Sequence, residues 1–270
     1  MLKIEIKILL VFFLLAIINA IGTFAYGARL AGVRSKSISS SSALFNILTL
    51  ISRTSNMILS PLIGSIVEEA IKTNNIDGLT MNFRFIFLGA TFGTAIAILL
   101  IPYMSDLLIH AINKLEQHKS IPMIFYKEMK PKNIVKMIKM FRLPSKNSLK
   151  NICVKNIPKG FLIISPIIYS IYTVGFLSAL YAGSLTPENR LVASQMSSVI
   201  NGFATISLYI LVDPVLGVIS DEAIKGKRPI QDIKNAIFFL SMGRLAGTVI
   251  AQLIFIPVAH FIVWASQIFI

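Results

Sequence analysis

The chain has 270 residues, 55% of them hydrophobic and only 14% charged, with a mean hydropathy of +0.75. A water-soluble domain of this length carries about 25% charged residues and has no core large enough to hide such apolar runs, so lipid is the solvent this composition calls for. The formal net charge of +14 would suggest nucleic acid in a soluble protein. Here the basic residues lie mostly in loops, where membrane topology and anionic lipid headgroups explain them and no nucleic acid is needed.

Six stretches are long enough to cross about 30 Å of hydrocarbon at about 20 residues each. They run approximately Ile8–Ala28, Ala43–Val67, Phe83–Ile109, Ile157–Tyr181, Leu191–Ile219 and Ala236–Ile268. The first follows Lys3 and Lys7, as a signal peptide would, but its apolar run is too long for one. The expected fold is an all-α polytopic membrane protein.

Lys and Arg sort the loops. Arg29, Arg34 and Lys36, the series from Lys114 through Lys159, and Lys225, Lys227, Arg228 and Lys234 share one side. The other side holds only Lys3, Lys7, Lys72, Arg84 and Arg190. The positive-inside rule then places both termini outside and the central loop in the cytoplasm. Within that loop, Pro131 and Pro144 bracket a segment with Ile134, Ile138 and Phe141 on one helical face and Lys132, Lys136, Lys139 and Arg142 largely off it. This reads as a basic amphipathic helix on anionic lipid of the inner leaflet, or as a plain solvated linker.

Pro61-Leu-Ile-Gly-Ser-Ile-Val-Glu-Glu-Ala-Ile-Lys72 reappears as Pro214-Val-Leu-Gly-Val-Ile-Ser-Asp-Glu-Ala-Ile-Lys225, about 153 residues later. Gly89-Ala-Thr-Phe-Gly-Thr-Ala-Ile-Ala97 matches Gly243-Arg-Leu-Ala-Gly-Thr-Val-Ile-Ala251 at nearly the same spacing, and Ala31-Gly32 matches Ala182-Gly183 weakly. The chain divides into a three-helix unit over 1–109, the basic loop over 110–156 and a second three-helix unit over 157–270. If the central loop stays on one side, an odd number of spans per unit makes the two units inverted repeats, an architecture used by transporters; chance similarity of apolar helices is the alternative. The Gly89/Gly93 and Gly243/Gly247 pairs permit close helix packing, and their recurrence suggests contact between the halves.

Charges inside spans are costly and mark function or pairing. Arg53, Asp213 and Arg244 are the clear cases. Asn46, Thr49, Arg53, Asn56 and Ser60 form a polar stripe on the second span. Ser194, Ser198, Asn201, Thr205, Tyr209 and Asp213 form one on the fifth. Asp213 and Arg244 both lie about 12 Å from the inner ends of their helices, which suggests a structural or gating ion pair. Arg53 is then left near mid-membrane for an anionic substrate, although a pairing of Arg53 with Asp213 is also open. Arg29 and Arg34 sit at the inner mouth of the first span, either as snorkelling anchors or as a site that captures an anionic headgroup. Asn46, Asn56 and Asn201 complete the candidate substrate contacts.

No phosphate-binding Gly-rich loop, His-Glu-xx-His or Gly-x-Ser-x-Gly motif is present. The lone Cys153 and the scattered His110, His118 and His260 suggest no metal site, and no cofactor is expected. The residues favour a carrier over an enzyme.

Ala25-Tyr-Gly-Ala-Arg-Leu-Ala-Gly-Val-Arg34, Ser41-Ser-Ala-Leu-Phe-Asn-Ile-Leu-Thr-Leu-Ile-Ser-Arg-Thr-Ser-Asn-Met57 and Pro61-Leu-Ile-Gly64 resemble the Amj family, the alternate to the MurJ flippase. Leu180-Tyr-Ala-Gly183, Ile200-Asn-Gly-Phe-Ala-Thr-Ile206 and Asp213-Pro214 extend the resemblance over most of the chain. It implies a lipid II flippase of the bacterial plasma membrane, moving the undecaprenyl-pyrophosphate-linked peptidoglycan precursor from inner to outer leaflet. Carriage of another polyprenyl-phosphate lipid or an organic anion, or a non-catalytic scaffold in envelope assembly, are the alternatives.

Overall fold

A computed structural model describes residues 3–118, 123, 130–144 and 150–269. Its long elements are helices: α1 (Ile4–Ser35), α2 (Ile38–Lys72), α3 (Ile76–His118), the short α4 (Pro131–Lys139), α5 (Lys159–Leu185), α6 (Arg190–Ser207), α7 (Asp213–Ile224) and α8 (Ile230–Ser266). Among the described residues six spans are long and apolar enough to cross a membrane; α6 and α7 together make the fifth. Leu9, Phe13, Met81, Leu99, Leu253 and Trp264 are among the large apolar side chains left exposed, as expected of helices whose outer faces meet lipid.

Short polar turns join the helices. Lys36 adopts a left-handed conformation (φ 57°) and closes α1, its N–H donating to Gly32 O, the usual way a chain leaves a helix. The chain reverses at once into α2, and Ser41 donates from Oγ to Ala28 O across the elbow. At the next turn Asn75 Oδ1 accepts the Gly78 N–H at 2.9 Å and satisfies a free donor at the start of α3. Pro131 stands at the first position of α4, where its missing N–H costs nothing.

Within each unit the first helix packs chiefly against the third and the second: α1 against α3 and α2, α5 against α8 and α6. The two glycine pairs make these contacts. Gly89 and Gly93 lie on the backbone of Phe12 and Ala16 in α1, while Gly243 and Gly247 lie against Ser165 and Tyr169 in α5. The contact between halves expected of these glycines is therefore not made; they join helices inside each half. The elbow recurs too, Gly32 meeting Ser41 as Gly183 meets Ser194.

The two related second helices differ at their prolines. Pro61 sits inside an unbroken α2, whereas Pro214 follows a π-helical turn over Leu208–Val212. Proline removes one N–H and crowds the carbonyl four residues earlier, here Ile210, and the fifth span relieves this by widening.

The expected loop helix forms but stops at Lys139, short of Pro144. Lys132, Lys136 and Lys139 are exposed. The side chains of Ile134 and Ile138 lie outside the described set. Phe141 falls beyond the helix and packs edge-on against Tyr103 of α3, whose hydroxyl donates to Met137 O. These contacts tie the loop to the C-terminal half of α3.

A candidate anion site at the seam of the two halves

The interior holds a small cavity lined from both halves. α1 contributes Gly22 and Tyr26. α2 contributes Phe45, Thr49, Ser52 and Arg53. The second half adds Tyr169 and Tyr172 from α5, Leu208 from the π turn, Asp213 from α7 and Arg244 from α8. Its volume is about 40 Å³, room for a few waters at about 10–15 Å³ each. Two large apolar clusters are each made by both halves. One includes Phe83, Phe87, Tyr181 and Phe255; the other includes Leu30, Ile112, Leu216 and Ile237.

Arg244 is only 7% exposed. Its Nη2 donates to Asn19 Oδ1 at 3.3 Å, and its guanidinium carbon lies 5.4 Å from the centre of the Tyr169 ring. The same guanidinium occupies the space above Gly22, where a Cβ would come within 2.5 Å of Nη2. Arg53 lies near the midpoint of α2 with its guanidinium carbon 4.9 Å from the centre of the Tyr209 ring. Arg29 stands behind Phe45, 4.6 Å from that ring's centre, and reaches Ser42 Oγ at 3.5 Å. The three arginines thus share a habit: each rests on an aromatic face and none forms a salt bridge with a described residue. A guanidinium held this way keeps N–H edges for an anion, and its planar fork suits phosphate oxygens.

Contacts that cross between the halves at this level include Arg53 with Tyr209, Arg244 with Asn19 and Gly22, and the hydroxyls of Tyr26 and Tyr169, which hydrogen-bond to each other. Among the described residues, Asp213 is the one carboxylate lining the cavity. The expected Asp213–Arg244 ion pair is not formed in this conformation, nor is an Arg53–Asp213 bridge; Arg244 is held by Asn19 and Tyr169 instead.

Of the residues singled out in the sequence, the fold gathers Arg53, Asp213 and Arg244 into one cavity, with Arg29 adjoining. It leaves others elsewhere. Asn46 is exposed and does not line it. Asn201 packs against Gly175, its Oδ1 buried without a partner. The side chain of Asn56 lies outside the described set. Arg34 sits lower, on Asp106 of α3. Tyr26, Tyr169 and Tyr172 were not anticipated; Tyr26 stands inside the Ala25-to-Arg34 block that carried the resemblance.

Residues 14–266 match the family described as Amj, alternate to MurJ. The chain is also 39% identical over 264 residues to the lipid II flippase Amj of Bacillus subtilis (strain 168), covering 97% of this chain and 98% of that one. It belongs to the Amj family. No solved structure matches it. For an Amj chain the cavity has two features that matter together: it lies at the seam of two halves, and two mid-span arginines face it against one carboxylate. In this conformation its volume of about 40 Å³ has room for waters and not for a lipid headgroup.

Proposed function

We propose that this chain is a lipid II flippase that moves the undecaprenyl-pyrophosphate-linked precursor from the inner to the outer leaflet of the bacterial plasma membrane. The observation that carries the reading is the pair Arg53 and Arg244, contributed by opposite halves and facing one cavity across the membrane interior. An unneutralised arginine at mid-membrane costs at least about 2.5–3.5 kcal/mol, a cost that makes sense where an anion is carried. The headgroup cannot cross hydrocarbon unaided, because its polar groups would lose their water without gaining partners. Arg53 contacts the pyrophosphate, and Arg29 and Arg34 receive it from the inner leaflet. Asp213 is the counter-charge that the pyrophosphate displaces.

The 40 Å³ cavity represents an occluded stage of the cycle. The two units, 1–109 and 157–270, are inverted repeats that rock about this seam, so that the cavity opens to each side in turn. The recurring glycine contacts support the repeat; the Lys and Arg distribution supports its inversion, with both termini outside and the 110–156 loop in the cytoplasm. The exposed Lys132, Lys136 and Lys139 hold that loop on anionic lipid.

The test is outer-leaflet lipid II in cells whose sole candidate flippase is this chain. Wild type should expose lipid II, and Arg53→Ala should lower the exposure at least tenfold with unchanged expression and melting temperature. Arg53→Lys should restore part of it, since an ammonium keeps the charge but not the fork. No exposure with wild type would end the flippase reading; equal exposure with Arg53→Ala would remove Arg53 from the path.

A further inference from the structure

A second, larger cavity opens toward the inner face. Its volume is about 420 Å³. It is built on α1 and α8, which also line the central cavity, and is closed by α3 and by the loop after α4. On α1, Arg34 lies eight residues beyond Tyr26; on α8, Lys234 lies ten residues before Arg244. At 1.5 Å per residue these cations stand about 12–15 Å below the central site along the same seam.

Its polar wall is an organised cation cluster. Asp106 of α3 accepts from Arg142 twice, Nε to Oδ2 at 2.6 Å and Nη2 to Oδ1 at 2.9 Å, and from Arg34 Nη1 at 3.2 Å. One carboxylate thereby fixes two arginines, and the Tyr103–Phe141 contact holds Arg142's segment in place. Lys234 completes the wall; Arg34 and Arg142 are its charged neighbours, and it has no hydrogen bond or ion pair with any described residue. Among the described residues, three cations against one carboxylate leave two positive charges unbalanced. The opposite wall is apolar. Ile98, Leu99, Pro102 and Phe238 line it, and Leu99 is 55% exposed, an apolar surface suited to an isoprenoid chain.

We infer that this cavity is the inner-leaflet loading site for a polyisoprenyl diphosphate, with the diphosphate on Arg34, Arg142 and Lys234 and the first isoprene units against α3 and Phe238. This rests on the flippase reading and adds to it a distinct first station, below the Arg53 site. The charge decides between lipids. A phosphodiester phospholipid brings one negative charge and leaves the cluster half neutralised, whereas a diphosphate diester brings two. Lys234 is the informative residue, because removing it strands no acidic partner.

The test uses the intact protein in detergent, with undecaprenyl diphosphate as the probe and phosphatidylglycerol as the competitor, read by native mass spectrometry. Wild type should retain one undecaprenyl diphosphate against a tenfold excess of phosphatidylglycerol. Lys234→Gln should weaken retention about tenfold, Lys234→Arg should restore it, and Lys72→Gln, an exposed cation at the far end of α2 that lines neither cavity, should leave it within twofold of wild type. Equal retention by wild type and Lys234→Gln would overturn the proposal, as would displacement by equimolar phosphatidylglycerol, which would make the cluster a general anionic-lipid contact. Lipid II exposure in cells separates the two readings. Lys234→Gln that loses retention yet flips at the wild-type rate rejects the loading site and leaves the flippase standing; wild type that retains the lipid yet exposes none rejects the flippase.

Discussion

Gly22 leaves open the space that the Arg244 guanidinium fills, and that single absence of a Cβ lets a buried cation lie against the backbone of α1. In Gly22→Ala the new methyl would stand 2.5–2.9 Å from three guanidinium atoms. These are the far end of a flexible side chain, so the arginine would swing rather than the helices part. Lipid II exposure should fall several-fold while the melting temperature in detergent moves little. Gly93 is the opposite case, because its neighbour is the Ala16 backbone and cannot swing. Gly93→Ala should destabilise the protein by about 1–3 kcal/mol, the usual range for overpacking, seen as a lower melting temperature. Gly64, with nothing within 4 Å of an added Cβ, is the control and should tolerate alanine. The residue types of Arg53, Asp213 and Arg244 were readable in the sequence as charges in apolar runs. Their surroundings were not: no spacing in the chain places Asn19 of α1 beside Arg244 of α8, or Tyr209 beneath Arg53.

Among the helices, the fifth span stands apart. Its π turn at Leu208–Val212 supplies both Leu208 to the cavity wall and Tyr209 as the platform for Arg53, immediately before Asp213. Such turns concentrate at functional sites and are less stable than continuous α-helix. A span with a weak point beside the charged cavity is suited to bend in the rocking motion proposed for the halves. Pro214→Ala restores the missing N–H, so the turn should relax toward α-helix and carry Tyr209 away from Arg53. Transport should slow several-fold without loss of melting temperature. Pro61→Ala, at the related position of an unbroken and exposed helix turn, should have little effect. The proline pair was visible as part of the repeat; the widening of only one of the two helices was not, because both sequences present the same Pro-x-x-Gly pattern.

Across the assembled protein, the sidedness proposed from the basic loops can be checked with the chain as it stands. Cys153 is its lone cysteine and is exposed, in the segment leading to α5. A membrane-impermeant maleimide should leave it unmodified in intact cells and label it in inside-out vesicles at least tenfold more; labelling in intact cells would reverse the proposed orientation. At the far end of the bundle Glu68 and Arg190 join the halves through a 2.8 Å ion pair, each nearly half exposed, an exposure at which such a pair contributes about 1 kcal/mol or less.

Composition and hydropathy by themselves determined six spans, because no other solvent than lipid accommodates apolar runs of that length. The Pro-x-x-Gly and Gly-xxx-Gly echoes determined that three helices recur. Helical spacing determined which residues share a face and roughly how deep each lies. What remained for the tertiary structure was the rotation of each helix about its own axis and the choice of its neighbours, which are settled by packing between residues far apart in sequence. That packing turned the glycine pairs inward to each half, set Arg244 on Asn19 and Tyr169 and not on Asp213, left Asn46 and Asn201 out of the cavity, and brought Arg53, Asp213 and Arg244 to one space at the seam. It also gathered Arg34, Arg142 and Lys234 around a second cavity, although these residues come from the first span, the central loop and the last span.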